Sequence, residues 1–398
     1  MIIDSHIHLG LNSFCKQDSK RLEYDLQNNI DDLLSFMNCH NIDKSVVLPI
    51  PGNDYDSSKS NDYLCQASNK YHDRFYPFCK LDNNLSINLI CNNFYGAKFH
   101  MVYEKFSNKV LEKYYKELEY YGFPLMIHAK FADKISQIYN ILSIAPKLKI
   151  IVAHLGRGHI YTDEMVEEIL TEFRDNQNVY FETSTVGRIS AIENACNIIG
   201  SNRIIFGSDY PFGKAWFKDG YVYGDELSLI LNAKISKEDK DNILYKTMLS
   251  LMDKCDKSRK KVLIRPVVKE DKEQLFSKIA TISDYDKKLL ALDKKMQLIK
   301  ENIRKCRHVF IATCENEIVG FFRESGRLDN SNMLEEIVVF DGFRGKGYSK
   351  KIMDYYTKFF PKSFAKTHSN NIKINKLLSE YGFVGDNGLK IMNWSRSI

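Results

Sequence analysis

Residues 2–8 read Ile-Ile-Asp-Ser-His-Ile-His, an apolar run that closes on two histidines two positions apart. On a strand that spacing sends both imidazoles to one face. Seven further runs of similar character follow: 44–50 (KSVVLPI), 75–81 (FYPFCKL), 96–100 (GAKFH), 124–129 (PLMIHA), 149–155 (KIIVAHL), 179–184 (VYFETS) and 204–209 (IIFGSD). Amphipathic stretches such as 30–39 and 109–121 lie between several of them. Strands alternating with helices imply right-handed crossovers and a parallel sheet. Eight repeats in roughly 250 residues is the size of a (β/α)8 TIM-like barrel, although an open doubly wound sheet shares that rhythm.

The histidines decide where chemistry would sit. His6 and His8 lie on the first run, His128 and His154 near the ends of the fifth and sixth, and Asp209 closes the eighth. In a barrel, the C-terminal ends of the strands converge on one mouth, where that fold places its active site. Four imidazoles and a carboxylate at one mouth suit a divalent ion such as Zn2+.

The motifs DSHIHLG, GAKFH, MIHA, AHLG and FGSDYPFG, in that order, resemble the amidohydrolase superfamily, in its branch of metal-dependent hydrolases and decarboxylases. The resemblance covers residues 1–255. It implies that His6, His8, His128 and Asp209 hold one divalent metal, and that His154 is the acid/base beside it, with Asp209 also counted among the catalytic groups. Such a site activates water by lowering its pKa. Lys98 ends the fourth run, where binuclear relatives carry a carboxylated lysine and the mononuclear branch an unmodified one. A TatD-type nuclease would carry a glutamate there. His100 lies two residues on, at the mouth or in a solvated loop. Arg157 and Arg188 read as surface salt-bridge partners before carboxylate binders, and His40, His72 and His159 as structural.

Residues 254–261 (KCDKSRKK) carry five positive charges and one negative and read as a solvated linker. Beyond it, a strand at 262–268, a long helical pattern at 284–304 and adjacent strands at 309–313 and 318–323 predict an α+β domain with a mixed sheet over 262–398. A strand at 335–340 leads into Arg344-Gly345-Lys346-Gly347-Tyr348-Ser349 and then a helix at 348–359. Glycines before a helix N-terminus let backbone N–H groups approach an anion such as a pyrophosphate.

This loop resembles the acetyl-CoA loop of GNAT-type N-acetyltransferases. With it come IRPVVKED (264–271), similar to that fold's opening strand, and the spacing from Asn371 to Gly382-Phe383. The resemblance implies acetyl-CoA binding by Val339, Arg344, Gly345, Lys346, Gly347, Tyr348, Ser349 and Asn371. A tyrosine common in that family seven residues after the asparagine is Leu378 here, which leaves the general acid unassigned. Glu335 and Glu336 on the preceding strand should point to opposite faces. Glu336 is the candidate general base.

Composition bounds the rest. The 398 residues are 44% hydrophobic and 27% charged, with a net charge of +6 and no long basic run, which argues against nucleic acid as partner. No apolar stretch approaches the ~20 residues of a membrane span, the first residues are already polar, and nine dispersed cysteines without a CxxC pair suit a reducing, cytoplasmic setting. The expectation is a bifunctional enzyme on small molecules, with a homo-oligomer allowed: metal-dependent hydrolysis of a C–N or C–O bond, plus acetyl transfer from acetyl-CoA to an amine. The alternatives are non-oxidative decarboxylation in the barrel, or a second domain that only senses CoA.

Overall fold

The structure, a computed structural model, describes residues 1–85, 88–89, 92–129, 134–156, 162–212, 225–259, 261–289, 292–315, 317–386 and 391–396. Two compact units divide the chain, Met1–Ser258 and Arg259–Ile398.

In the first unit eight strands run in sequence order around one parallel sheet: β1 (Ile3–Leu9), β2 (Lys44–Pro49), β3 (Phe75–Lys80), β4 (Gly96–His100), β5 (Leu125–His128), β6 (Ile150–Val152), β7 (Val179–Glu182) and β8 (Ile204–Ile205). Beyond the last strand the chain returns to the first. Ser5 N–H donates to the Phe206 carbonyl at 2.9 Å and His8 N–H to the Tyr210 carbonyl at 2.7 Å, which brings the ring close to closure. Every residue of β1 is buried, as expected where side chains fill the barrel on one face and meet helices on the other. Several helices begin on side-chain caps, with Asn29, Asp56 and Thr162 each accepting from a first-turn N–H.

Two strands stop furthest short of their sequence runs. β6 ends at Val152 and β8 at Ile205, not at residues 155 and 209. Left-handed backbone bars both runs from reaching their expected ends: His154 and Leu155 (φ 60° and 47°) follow β6 closely, and Asp209 (φ 58°) lies beyond β8. The segment expected as a linker also differs. The helix Thr247–Arg259 runs through most of it, and its Cys255 is fully buried, so residues 254–258 belong to the barrel unit.

The second unit is built on a mixed seven-stranded sheet in the order β14-β15-β13-β12-β11-β10-β9. The strands are β9 (Leu263–Pro266), β10 (Val309–Cys314), β11 (Glu317–Gly326), β12 (Asn332–Val339), β13 (Ser363–His368), β14 (Val384–Gly385) and β15 (Ile391–Arg396). All neighbours are antiparallel except β12 and β13. Within the helical pattern at 284–304 the described residues are helical over Asp284–Leu289 and Leu292–Arg304. The second of these packs Leu292, Ile299 and Ile303 with Leu275, Ile279, Ile311, Phe321 and Val338 in one core. No helix among the described residues is long and apolar enough to cross a membrane.

Candidate metal centre and acyl-donor loop

At the barrel mouth His6, His8 and Asp209 offer ligand atoms within 4.8 Å of one another. Their hydrogen bonds fix which lone pairs face inward. His8 Nδ1 lies 2.7 Å from the Pro49 carbonyl, which can only accept, so Nδ1 carries the proton and Nε2 the lone pair. His6 Nδ1 lies 2.7 Å from Glu182 Oε2, which sets the same tautomer. Both Nε2 atoms then stand 3.3 Å from Asp209 Oδ1. Three acceptors thus face one another, an arrangement that calls for a cation between them. The Lys98 ammonium, 3.1 Å from His6 Nε2, supplies part of that charge.

Electrostatics favours the ligand forms of the histidines. Burial holds His6 far below the ordinary histidine range and brings His8 and His128 down to about 3, so all three are neutral, as metal binding requires. Burial also lowers the Lys98 amine to about 8, against the upward pull of the Asp209 and Glu182 carboxylates. Asp209 itself is pushed well up by burial, with Lys98 opposing.

His128 joins the group differently from His6 and His8. Its Nδ1 lies 3.0 Å from His154 Nε2, and its ring stacks on His100 with centroids 4.0 Å apart. His154 Nδ1 in turn meets the Ser184 hydroxyl at 2.8 Å and the Ser184 carbonyl at 3.2 Å, while the Ser184 hydroxyl donates to Glu182 Oε2 at 2.8 Å. Followed as a chain, His128 Nδ1–H donates to His154 Nε2 and His154 Nδ1–H to Ser184, which leaves the His128 Nε2 lone pair available. His154, Asp209 and Thr185 (φ 56°) all hold left-handed backbones. Such strain in non-glycine residues gathers where function holds it in place.

Glu182 escaped the sequence reading. Fully buried, it receives the His6 imidazole, the Ser184 hydroxyl and the Ser184 amide. The signal was present, because it is a charged residue near the end of the seventh run, the position that singled out His128 and His154. Gly207 makes room for it: a Cβ there would stand 2.2 Å from Glu182 Oε1 and 2.7 Å from His6 Cβ. Gly207→Ala is therefore expected to destabilise the barrel by about 1–3 kcal/mol and to lower its thermal midpoint. An unchanged melt would show that Glu182 moves freely.

Arg188 pairs with Asp163 at 2.6 Å, as a surface ion pair should. Arg157 and His159 lie outside the described residues. His100 is buried, its N–H bound to Glu104 Oε2 at 2.9 Å.

In the second unit the loop after β12 bends through Gly342, Gly345 and Gly347, with φ of 82°, 78° and 81°. Gly347 precedes the helix Tyr348–Phe359 without a side-chain cap, so first-turn N–H groups are presented to an anion. Lys346 and Ser349 flank that turn, with the Lys346 ammonium 5.5 Å from the Phe343 ring centroid. Arg344 braces the loop, donating to the Val339 carbonyl at 3.0 Å and pairing with Asp286 and Asp341 at 3.0 and 3.2 Å. Asn371 caps the helix Ile372–Glu380 by accepting from Ile374 N–H. Leu378 is buried in the core, and the Tyr381 hydroxyl is held 2.7 Å from Asp354 Oδ1 and 2.9 Å from the Lys350 carbonyl.

Glu335 and Glu336 do not diverge as strand alternation predicts. The β11–β12 register pairs Arg323 with Glu336 and Glu324 with Leu334, leaving Glu335 as the extra residue of a bulge, which re-aims side chains. Both carboxylates consequently reach the Lys295 ammonium, at 3.2 and 3.0 Å. Glu336 is also gripped by Arg323 through Nε at 2.7 Å and Nη2 at 3.0 Å. That grip occupies both of its oxygens, an arrangement unlike a free base. β12 and β13 pair only over Asn332–Leu334 and Ser363–Ala365, although both strands continue, so a gap opens beside Glu335 and the loop that follows.

Comparison with known proteins agrees with this division. Residues 70–247 match the family model described as Amidohydrolase, and residues 273–383 the model of the Acetyltransferase (GNAT) family. Among solved structures, a probable 2-pyrone-4,6-dicarboxylic acid hydrolase from Acinetobacter baumannii is 17% identical, with a TM-score of 0.52 over 63% of this chain and 99% of that one. A Pseudomonas putida protein given the same kind of assignment is 16% identical, with a TM-score of 0.51 over 64% and 97%. A 2,6-dihydroxybenzoate decarboxylase from Rhizobium is 17% identical, with a TM-score of 0.49 over 63% and 98%. No curated protein gives a significant match.

Proposed function

We propose, from the premise that this chain joins an amidohydrolase-type barrel to a GNAT-type domain, that it is a bifunctional enzyme: a metal-dependent hydrolase acting on a C–N or C–O bond, and an N-acetyltransferase using acetyl-CoA. One observation carries the first half, the convergence of the His6 and His8 Nε2 lone pairs on Asp209 Oδ1. A divalent ion fits that donor set, since two neutral imidazoles and a carboxylate are its common ligands. His6, His8 and Asp209 would hold it, with His128 Nε2 as the expected fourth donor. Bound there, such an ion supplies Lewis-acid polarisation of a carbonyl and acidification of water.

The chain's own groups do the rest. Glu182 and the Pro49 carbonyl hold the ligand imidazoles in one tautomer and orientation. Ser184 accepts from His154 Nδ1–H, so the proton that His154 accepts and returns is carried at Nε2, the atom that meets His128 Nδ1 at rest. Lys98 sets a positive charge beside His6, suited to a substrate carboxylate or a developing oxyanion. In the second domain, the uncapped helix start at Gly347–Tyr348 favours a pyrophosphate. The gap between β12 and β13 would accept the arm that follows it.

The experiment is turnover of a panel of esters, lactones and amides by metal-loaded protein, with and without chelator. Hydrolysis that chelator abolishes and His154→Ala lowers by about 10²–10⁴-fold is the expected result. Release of CO2 from unsaturated acids without hydrolysis would overturn it in favour of decarboxylation. For the second domain, binding of acetyl-CoA without transfer to any amine would reduce it to a CoA-binding module.

A further inference from the structure

We propose that Lys295 is the first acetyl acceptor of the second domain, modified in cis by the acetyl-CoA that the domain binds. The inference rests on the acetyltransferase reading above. It starts from where β12 stops pairing. The last β12–β13 pair is Leu334–Ala365, so Glu335 and Glu336 are the first residues beside the gap. From Glu335 to Val339 the strand runs four residues, roughly 13 Å at ~3.3 Å each, before the glycine loop that would hold the pyrophosphate. An extended thioester arm laid back along this edge from the loop is of comparable length. Its acyl group would therefore arrive near Glu335.

The amine already there is Lys295. It projects from the helix Leu292–Arg304, and its ammonium bridges Glu335 Oε2 at 3.2 Å and Glu336 Oε1 at 3.0 Å. The two carboxylates differ in availability. Glu336 is clamped by Arg323 through both oxygens. Glu335 receives only the Ser325 hydroxyl at 2.8 Å on Oε1 and a longer 3.4 Å approach of Arg323 to the oxygen that faces Lys295. Glu335 is thus the group placed to take a proton from the Lys295 ammonium. The neutral amine adds to the acetyl carbonyl, the C–S bond breaks as the C–N bond forms, and the second amine proton passes to the departing CoA thiolate. One amide, one CoA thiol and one proton result. The product carries no charge at Nζ, so it no longer compensates Glu335 and Glu336, whose carboxylates become a seat for the ammonium of an amine acceptor arriving from solution.

The test is peptide mass spectrometry on the full-length protein over a time course with acetyl-CoA, beside a direct titration of acetyl-CoA binding. Lys294 and Lys300, exposed on the same helix, report the background of chemical acetylation. Acetylation of Lys295 at least about tenfold faster than of either neighbour, with a rate constant independent of protein concentration, is the expected result. Glu335→Gln should slow that step about 10²-fold, the lower end of general-base effects, with acetyl-CoA affinity unchanged. Acetyl-CoA binding with Lys295 modified no faster than Lys294 and Lys300 would overturn the proposal alone. Absence of binding would overturn the acetyltransferase reading, and the proposal with it.

Discussion

Alanine in place of His8 is expected to strip the barrel of its divalent ion. His8 Nδ1 is committed to the Pro49 carbonyl, so Nε2 is its one lone pair, and it points at Asp209. Mutating the groups that merely orient a ligand typically costs 10–100-fold in metal affinity, so loss of the ligand itself should cost more than ~100-fold. Elemental mass spectrometry should then find about one ion per chain in the parent protein and essentially none in the variant. Glu182→Gln should fall between them, because a neutral amide at that position still accepts from His6 but no longer strengthens its basicity. Two ions per parent chain would point instead to a carboxylated Lys98 bridging a binuclear centre. An ion-free parent protein after reconstitution would remove the metal reading altogether. His128→Ala adds a separate question, since His128 contacts His154 and not Asp209. Full retention of the ion in that variant would place His128 outside the coordination sphere and make it an orienting partner of His154.

The parts of this site that were legible in the sequence share one property: their signal is local. The two histidines of β1, the histidines of 124–129 and 149–155 and the aspartate of 204–209 are marked by runs of buried β-branched residues around them, and periodicity alone brings them to one mouth. What was not legible depends on distant partners. Glu182 stands at the marked end of its run, but nothing near it says that it will receive His6 from a strand 176 residues away in sequence. His and Asp tolerate the left-handed region better than most residues, but nothing local requires it of His154 and Asp209, and neither run stays a strand to the end that propensity would give it. The bulge at Glu335 is a property of the β11–β12 register, invisible to either strand alone, and it overturned the simple alternation of Glu335 and Glu336. The basic run at 254–261 misled for a different reason. Lys254 and Lys257 are exposed on a helix whose inner face buries Cys255, and charge counts do not report which face is which.

Arg323→Met should be strongly destabilising to the second unit. The Arg323 and Glu336 side chains are 4% and 1% exposed, and removing one partner of a buried pair typically costs 3–5 kcal/mol because the other charge is left uncompensated. Lys295, which also reaches Glu336, is too exposed at 36% to replace a bidentate guanidinium, since solvent screens its charge. Against the 5–15 kcal/mol that usually holds a domain together, that loss is a large fraction. Urea unfolding followed by hydrogen exchange at the amides of β11 and β12 measures it within the unit. The double replacement Arg323→Met with Glu336→Leu is expected to recover most of the loss, because it removes both desolvation penalties together with the attraction. A single variant that loses less than about 1 kcal/mol would mean that the pair is already hydrated and interchangeable with Lys295. The double variant also separates two roles of Glu336. If it folds and still acetylates Lys295, the carboxylate served to hold β11 against β12 and Glu335 carries the proton. If it folds and acetylation stops, the Arg323–Glu336 pair is what keeps the Lys295 amine beside the gap.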